Sequence, residues 1–117
     1  MTASPRTYEG PRDRRRFLRV RLNVIGRYML TNGREYVCRT RDMSPGGLAL
    51  IAPALGRVGE RVIAYLEHFG RLEGRIVRSF SIGFVINIAA TKHKRDRIAI
   101  ELTRLVDQQN LPEIIDS

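Results

Sequence analysis

A two-residue alternation of apolar and polar side chains, repeated in short runs that turn-forming residues cut apart, constrains this chain most. Its cleanest instance is Ile82–Ile88, with Ile82, Phe84, Ile86 and Ile88 on one face. A period of two belongs to a half-buried strand, because successive side chains of a strand point to opposite faces. Further strands read at Leu22–Leu30 (Leu22, Val24, Gly26, Tyr28, Leu30), Glu35–Met43, Leu48–Ile51, Glu60–Glu67 and Arg71–Phe80. Gly26 marks a bulge or bend in the first of them. Between strands, Asn32-Gly33 is read as a type I′ hairpin turn with positive φ at both residues. Asp42-Met43-Ser44-Pro45-Gly46-Gly47 is a dense turn cluster, Pro53–Gly59 a loop, and His68-Phe69-Gly70 a third turn.

Only the end changes period. From Thr91 onward, Ile98, Leu102, Leu105 and Val106 recur at helical spacing and give an amphipathic helix over 92–106, with Thr91 as its cap. Lys92, Lys94, Arg95 and Arg97 in its first turns oppose the helix dipole at a cost of a few tenths of a kcal/mol. Five or six short strands closed by one helix make a mainly all-β chain, a small antiparallel barrel. The 117 residues suit one domain. Residues 1–13, with Pro5 and Pro11 and no periodicity, read as a flexible arm; 14–106 hold the ordered domain, and 107–117 form a tail.

The formal charge is +9, and all but Lys92 and Lys94 of its cations are arginines. Residues 1–21 hold seven of those arginines against Glu9 and Asp13, so the basicity is concentrated at one end. A guanidinium offers a planar fork of donors for phosphates and guanine edges and stacks on flat rings, which lysine does less well. The lone Cys38 has no partner for an internal disulfide and reads as a buried structural thiol. His68 and His93 do not have metal-site spacing, and no metal is expected. No nucleophile-elbow, Walker or dinucleotide motif occurs, so the chain is read as a non-enzyme. The first residues carry no apolar signal core, and no stretch is long enough to span a bilayer; a cytoplasmic location is expected.

Two clusters remain. Arg14-Arg15-Arg16-Phe17-Leu18-Arg19 precedes the first strand, and Asp42-Met43-Ser44-Pro45-Gly46-Gly47 ends the second. A tight hairpin near Asn32-Gly33 returns the chain to its starting level, so both clusters should meet at one end of the pair. Arginines donate to anionic oxygens and to guanine O6 and N7. An ionised Asp only accepts, which suits the N1–H and N2–H₂ donors of guanine's other edge. Ser44 adds a hydroxyl, and Gly46 and Gly47 allow close backbone approach. The combination calls for a ligand carrying phosphates and guanine together.

At Arg15-x-x-x-Arg19 followed by Asp42-x-Ser44-x-x-Gly47, the sequence resembles the PilZ domain family over about residues 12 to 106. The resemblance implies a six-stranded antiparallel β-barrel with a C-terminal helix that binds the bacterial second messenger cyclic di-GMP. It implies that Arg15 and Arg19 grip phosphate and guanine, that Asp42, Ser44 and Gly47 seat a guanine, and that Arg14 favours a stacked pair of ligands. Arg16 and Gly46 join as secondary candidates. Ligand would order the arm over the barrel and signal to an effector protein in motility or biofilm control. The competing readings are a basic nucleic-acid-binding barrel, disfavoured by the small number of aromatic residues, and a PilZ-like interaction domain without a ligand.

Overall fold

A computed structural model describes residues 18–109 and 114–116. Its elements in chain order are β1 (Leu18–Arg21), β2 (Ile25–Met29), β3 (Glu35–Ser44), β4 (Gly47–Ile51), β5 (Arg61–Leu66), β6 (Gly70–Phe80), β7 (Gly83–Ile88), α1 (Lys92–Gln109) and β8 (Ile114–Asp116). Every strand pairing is antiparallel. The sheet runs β2-β5-β6-β7-β4-β3, and the additional pairing of β2 with β3 closes those six strands into a barrel. The expected architecture is therefore the observed one, with β1 continuing from the free part of β3 and β8 pairing on β1.

Alternation decides what fills the barrel. Tyr28, Leu48, Leu50, Val62, Ile76 and Phe84 point inward and are almost fully buried. Tyr28 stacks on Tyr36 at 5.3 Å and meets Phe84 edge-on at 5.4 Å. Its hydroxyl donates to the Ala54 carbonyl at 2.7 Å and accepts the Ala54 N–H at 3.0 Å, so the one polar atom of this core ring is satisfied. Helix α1 contributes Ile98, Leu102 and Leu105 to the same core. Thr91 caps it as expected, its Oγ1 accepting the Lys94 N–H at 3.1 Å.

Three local expectations are corrected. The span Leu22–Leu30 is not one strand: the chain leaves regular pairing at 22–24. There the buried Thr40 hydroxyl accepts the Val24 N–H at 2.9 Å and donates to the Leu22 carbonyl at 2.6 Å, replacing ladder bonds. Leu22 and Val24 still point inward, which is why the alternation hides the break. Gly26 is not a bulge but a close approach, since a Cβ there would lie 2.3 Å from the Tyr65 carbonyl oxygen. The hairpin turn is not type I′: Gly33 has φ 81°, while Asn32 does not adopt positive φ. The Gly33 N–H closes a turn on the Leu30 carbonyl at 2.9 Å, giving a three-residue loop with glycine at the left-handed position. At the other end α1 runs to Gln109, three residues beyond the expected limit, and Ile114–Asp116 lies on β1.

Candidate functional site

The register of β1 on β3 sets Val20 opposite Met43 and Arg21 opposite Asp42. This pairing carries Arg19, the described arginine of the first cluster, to the acid-bearing end of β3, where it meets Asp42 of the second. Arg19 donates to Asp42 Oδ1 twice, from Nε at 2.9 Å and from Nη2 at 2.6 Å. Arg41 donates from Nε to Oδ2 at 2.9 Å. Asp42 is 5% exposed. Burial pushes its carboxyl pKa up, but the hydrogen bonds and charges of Arg19 and Arg41 outweigh that and hold it below the ordinary aspartate value.

Asp42 therefore closes no turn; it is a strand residue that spends both oxygens on guanidinium groups. The turn belongs to Ser44, whose Oγ accepts the Gly47 N–H at 3.1 Å. Pro45 and Gly46 form the two-residue connection to β4, where Ser44 pairs with Gly47. Neither Gly46 nor Gly47 has positive φ, so the turn itself does not demand glycine. Space separates them. A Cβ on Gly46 would meet nothing within 4 Å, whereas one on Gly47 would lie 3.1 Å from Arg19 Nη1 and 3.5 Å from Ser44 Oγ. Gly47 is the position that lets the arginine lie against the backbone.

Beside this cluster opens a cleft of about 650 Å³, lined by Arg19, Ser44 and Gly47, by Asn87, which pairs with Gly47, and by Val77 and Arg95. Asp42 lies behind Arg19 and does not line it. Arg14, Arg15 and Arg16, the remaining candidates, lie outside the described residues. The sequence reading missed Asn87, which alternation placed as a polar outward residue, and Arg95, which was read only as a cation at the wrong end of a helix dipole. Arg95 in fact reaches back to the Ala90 carbonyl from Nη1 at 2.6 Å while facing the cleft. It missed Arg41 as well, for a reason found in β3. The register on β4 shifts between Thr40 and Asp42, making Arg41 the extra residue of a bulge. Its guanidinium lies 4.4 Å above the Phe80 ring.

Cys38 is buried, and burial pushes its thiol up to about 11, leaving it protonated and unreactive at neutral pH. Among the described residues no three His, Cys, Asp or Glu side chains gather as a metal site, and no described helix is long and apolar enough to cross a membrane.

No curated protein matches the chain in sequence. Solved structures do match in fold. The PilZ domain of CeSA from a cellulose-synthesizing bacterium aligns with TM-score 0.57 at 19% identity, covering 79% of this chain and 97% of that one. The PilZ domain of YcgR from Escherichia coli, solved with c-di-GMP, aligns with TM-score 0.61 at 13% identity, over 84% of this chain and 98% of that one. The K. pneumonia MrkH–c-di-GMP complex aligns with TM-score 0.63 at 18% identity, over 85% of this chain and 54% of that longer one. At such identities the likeness is one of fold. The PilZ domain family model matches residues 13–108, nearly the whole barrel and its helix, and the chain belongs to that family.

Proposed function

We propose that this domain binds cyclic di-GMP in the cleft beside Arg19 and acts as a receptor that reports the messenger to a partner protein. The observation that carries this reading is how Arg19 is held. Its Nε–Nη2 edge is spent on Asp42, while Nη1 lies beside Gly47 in the wall of the cleft. A guanidinium anchored on one edge is oriented before ligand arrives, so less rotamer entropy is lost when it bonds phosphate or guanine O6 and N7.

Arg15 supplies the second fork from the leading segment, Ser44 offers its hydroxyl, and Gly47 keeps the floor low enough for a base or phosphate to approach. Arg14 stacks on an exposed guanine and favours a paired ligand; Arg16 and Gly46 flank the site. Asp42 acts first through Arg19. Two bonds from Arg19 fill Oδ1, and Arg41 takes one lone pair of Oδ2, so one acceptor position remains for a guanine N–H. Asn87 and Arg95, which also line the cleft, offer further donors to the ligand. Two of the fold relatives are complexes with this messenger, one of them a PilZ domain like this chain. Ligand held between Arg19 and the segment that carries Arg14 to Arg16 creates a surface that an effector protein reads.

Calorimetric titration with cyclic di-GMP tests this directly, with GTP and cyclic di-AMP as controls. Three or four charge-assisted hydrogen bonds, less the cost of association, give a Kd in the micromolar range, about −8 kcal/mol. Indifference to the messenger at tens of micromolar, or equal heats from cyclic di-AMP, would reject the reading.

A further inference from the structure

We infer that Arg41, seated on Phe80, is a positioning residue for cyclic di-GMP: by holding Asp42 Oδ2 it keeps Oδ1 turned toward Arg19. The inference rests on the function proposed above and adds two residues outside both sequence motifs. An aspartate χ2 torsion is broad and soft, so a carboxylate held at one oxygen only can swing. Here each oxygen is held by a separate arginine, from Arg19 at 2.6 and 2.9 Å and from Arg41 at 2.9 Å, which fixes its plane.

Arg41 is itself placed by two features. As the extra residue of the bulge between Thr40 and Asp42, it can turn back toward its sequence neighbour. Its guanidinium carbon then lies over Phe80, 4.4 Å from the ring centroid. Phe80 reaches that position because it pairs with Gly83, where a Cβ would lie 2.8 Å from the Phe80 ring and 1.8 Å from the Leu50 carbonyl oxygen. The chain Gly83, Phe80, Arg41, Asp42, Arg19 thus runs across the barrel exterior and ends at the cleft. Neither Arg41 nor Phe80 lines the cleft, so their effect on ligand passes through Asp42.

Among the described residues, the charged groups opposite or bonded to Asp42 are Arg19 and Arg21 from β1 and Arg41 from its own strand; β4 presents Ala49 there. Removing Arg41 takes away one of the cations that keep the carboxylate ionised. Affinity in the Arg41→Ala variant should therefore begin to fall at a higher pH than in the wild type as acid is added.

The experiment is titration of cyclic di-GMP into the wild type, Arg41→Ala, Arg41→Lys and Phe80→Leu between pH 7.5 and 4.5. Arg41→Ala should bind about tenfold more weakly at neutral pH, with its acid limb displaced upward. Arg41→Lys should recover part of that loss and the wild-type limb; Phe80→Leu, which keeps the charge, should weaken binding about threefold with the limb in place. Arg41→Ala binding within twofold of wild type on an unshifted limb would overturn the inference. If Arg41→Ala does not fold, wild-type behaviour of both Arg41→Lys and Phe80→Leu would overturn it. A wild type that binds no messenger rejects the proposed function and this inference with it, whereas a binding wild type beside an unaltered Arg41→Ala rejects the inference alone.

Discussion

Among the described residues the same chemical arrangement, a carboxylate shared by two arginines, occurs in two environments. Asp42 is shared between Arg19 and Arg41, and Glu73 on the outer face of β6 is shared between Arg61 and Arg71. The Asp42 side chain is 7% exposed and that of Glu73 34%, with Arg61 and Arg71 about half exposed. Both carboxyls titrate below their ordinary values. For Asp42 the largest influence is burial, pushing the opposite way; for Glu73 it is the Arg61 hydrogen bond. A carboxylate in open solvent loses little when a partner leaves, because water replaces it. A buried one keeps its desolvation cost and loses what offset it. The two triads therefore look alike in distances and should differ in consequence, and the buried one adjoins the cleft beside Gly47.

Arg19→Ala should break that contrast most sharply. It removes two hydrogen bonds from Asp42 and the guanidinium beside Gly47 together. Cyclic di-GMP affinity should fall by about a hundredfold or more. Stability should drop by about 1–3 kcal/mol in chemical denaturation, since Arg41 still holds the other oxygen. Wild-type affinity in this variant would mean that the guanidinium is a structural cation and the cleft empty of function.

The titration of Asp42 comes next in size. Its folded pKa is depressed below an unfolded value of about 3.9, so its stabilising contribution is complete above that value. It is lost as pH falls through the folded pKa. The stability gap between wild type and Asp42→Asn, measured by urea unfolding, should be constant near neutrality and close progressively below about pH 4. A gap that widens in acid would show that the sign assigned to the cluster is wrong.

The two adjacent glycines sharpen the comparison further. Gly47→Ala pushes a methyl group toward Arg19 Nη1, at a built distance of 3.1 Å, and should weaken cyclic di-GMP binding by about tenfold with little change in fold. Gly46→Ala meets no protein atom and has no positive φ to forfeit, so binding should weaken less than in Gly47→Ala although Gly46 also lines the cleft. Titration of both variants side by side checks this; equal losses would mean that the turn, not the arginine, needs the glycines.

What the sequence made legible follows from which interactions are periodic. The six barrel strands and the helix were readable because inward and outward positions alternate at fixed steps, and the meeting of Arg19 with Asp42 followed from hairpin symmetry. The break at 22–24 was not readable, because Leu22 and Val24 keep their inward phase while the distant Thr40 satisfies the backbone. Asn32-Gly33 is compatible with two turn types, and loop length chose the one with a single left-handed residue. Arg41 sits in a bulge that no glycine announces, so alternation would have sent it to the face away from Asp42. Arg95 reaches the cleft only through the docking of α1, and Asn87 only through its pairing with Gly47 across β4 and β7, neither of which a local pattern encodes.

Glu73→Gln carries the smallest expected effect and tests the other side of the comparison. The substitution keeps the side-chain shape and one carbonyl acceptor while removing the charge that Arg61 and Arg71 share. Both arginines remain about half exposed and can turn to water, and no buried charge is left behind. The unfolding midpoint should not change measurably, and cyclic di-GMP affinity should be unaltered, because Glu73 does not line the cleft. The midpoint should also respond to salt slightly less than in the wild type, since one screened surface interaction is gone. A large loss of stability in Glu73→Gln would show that exposure is not what separates the two triads. The case for a functional Asp42 would then have to rest on ligand binding alone.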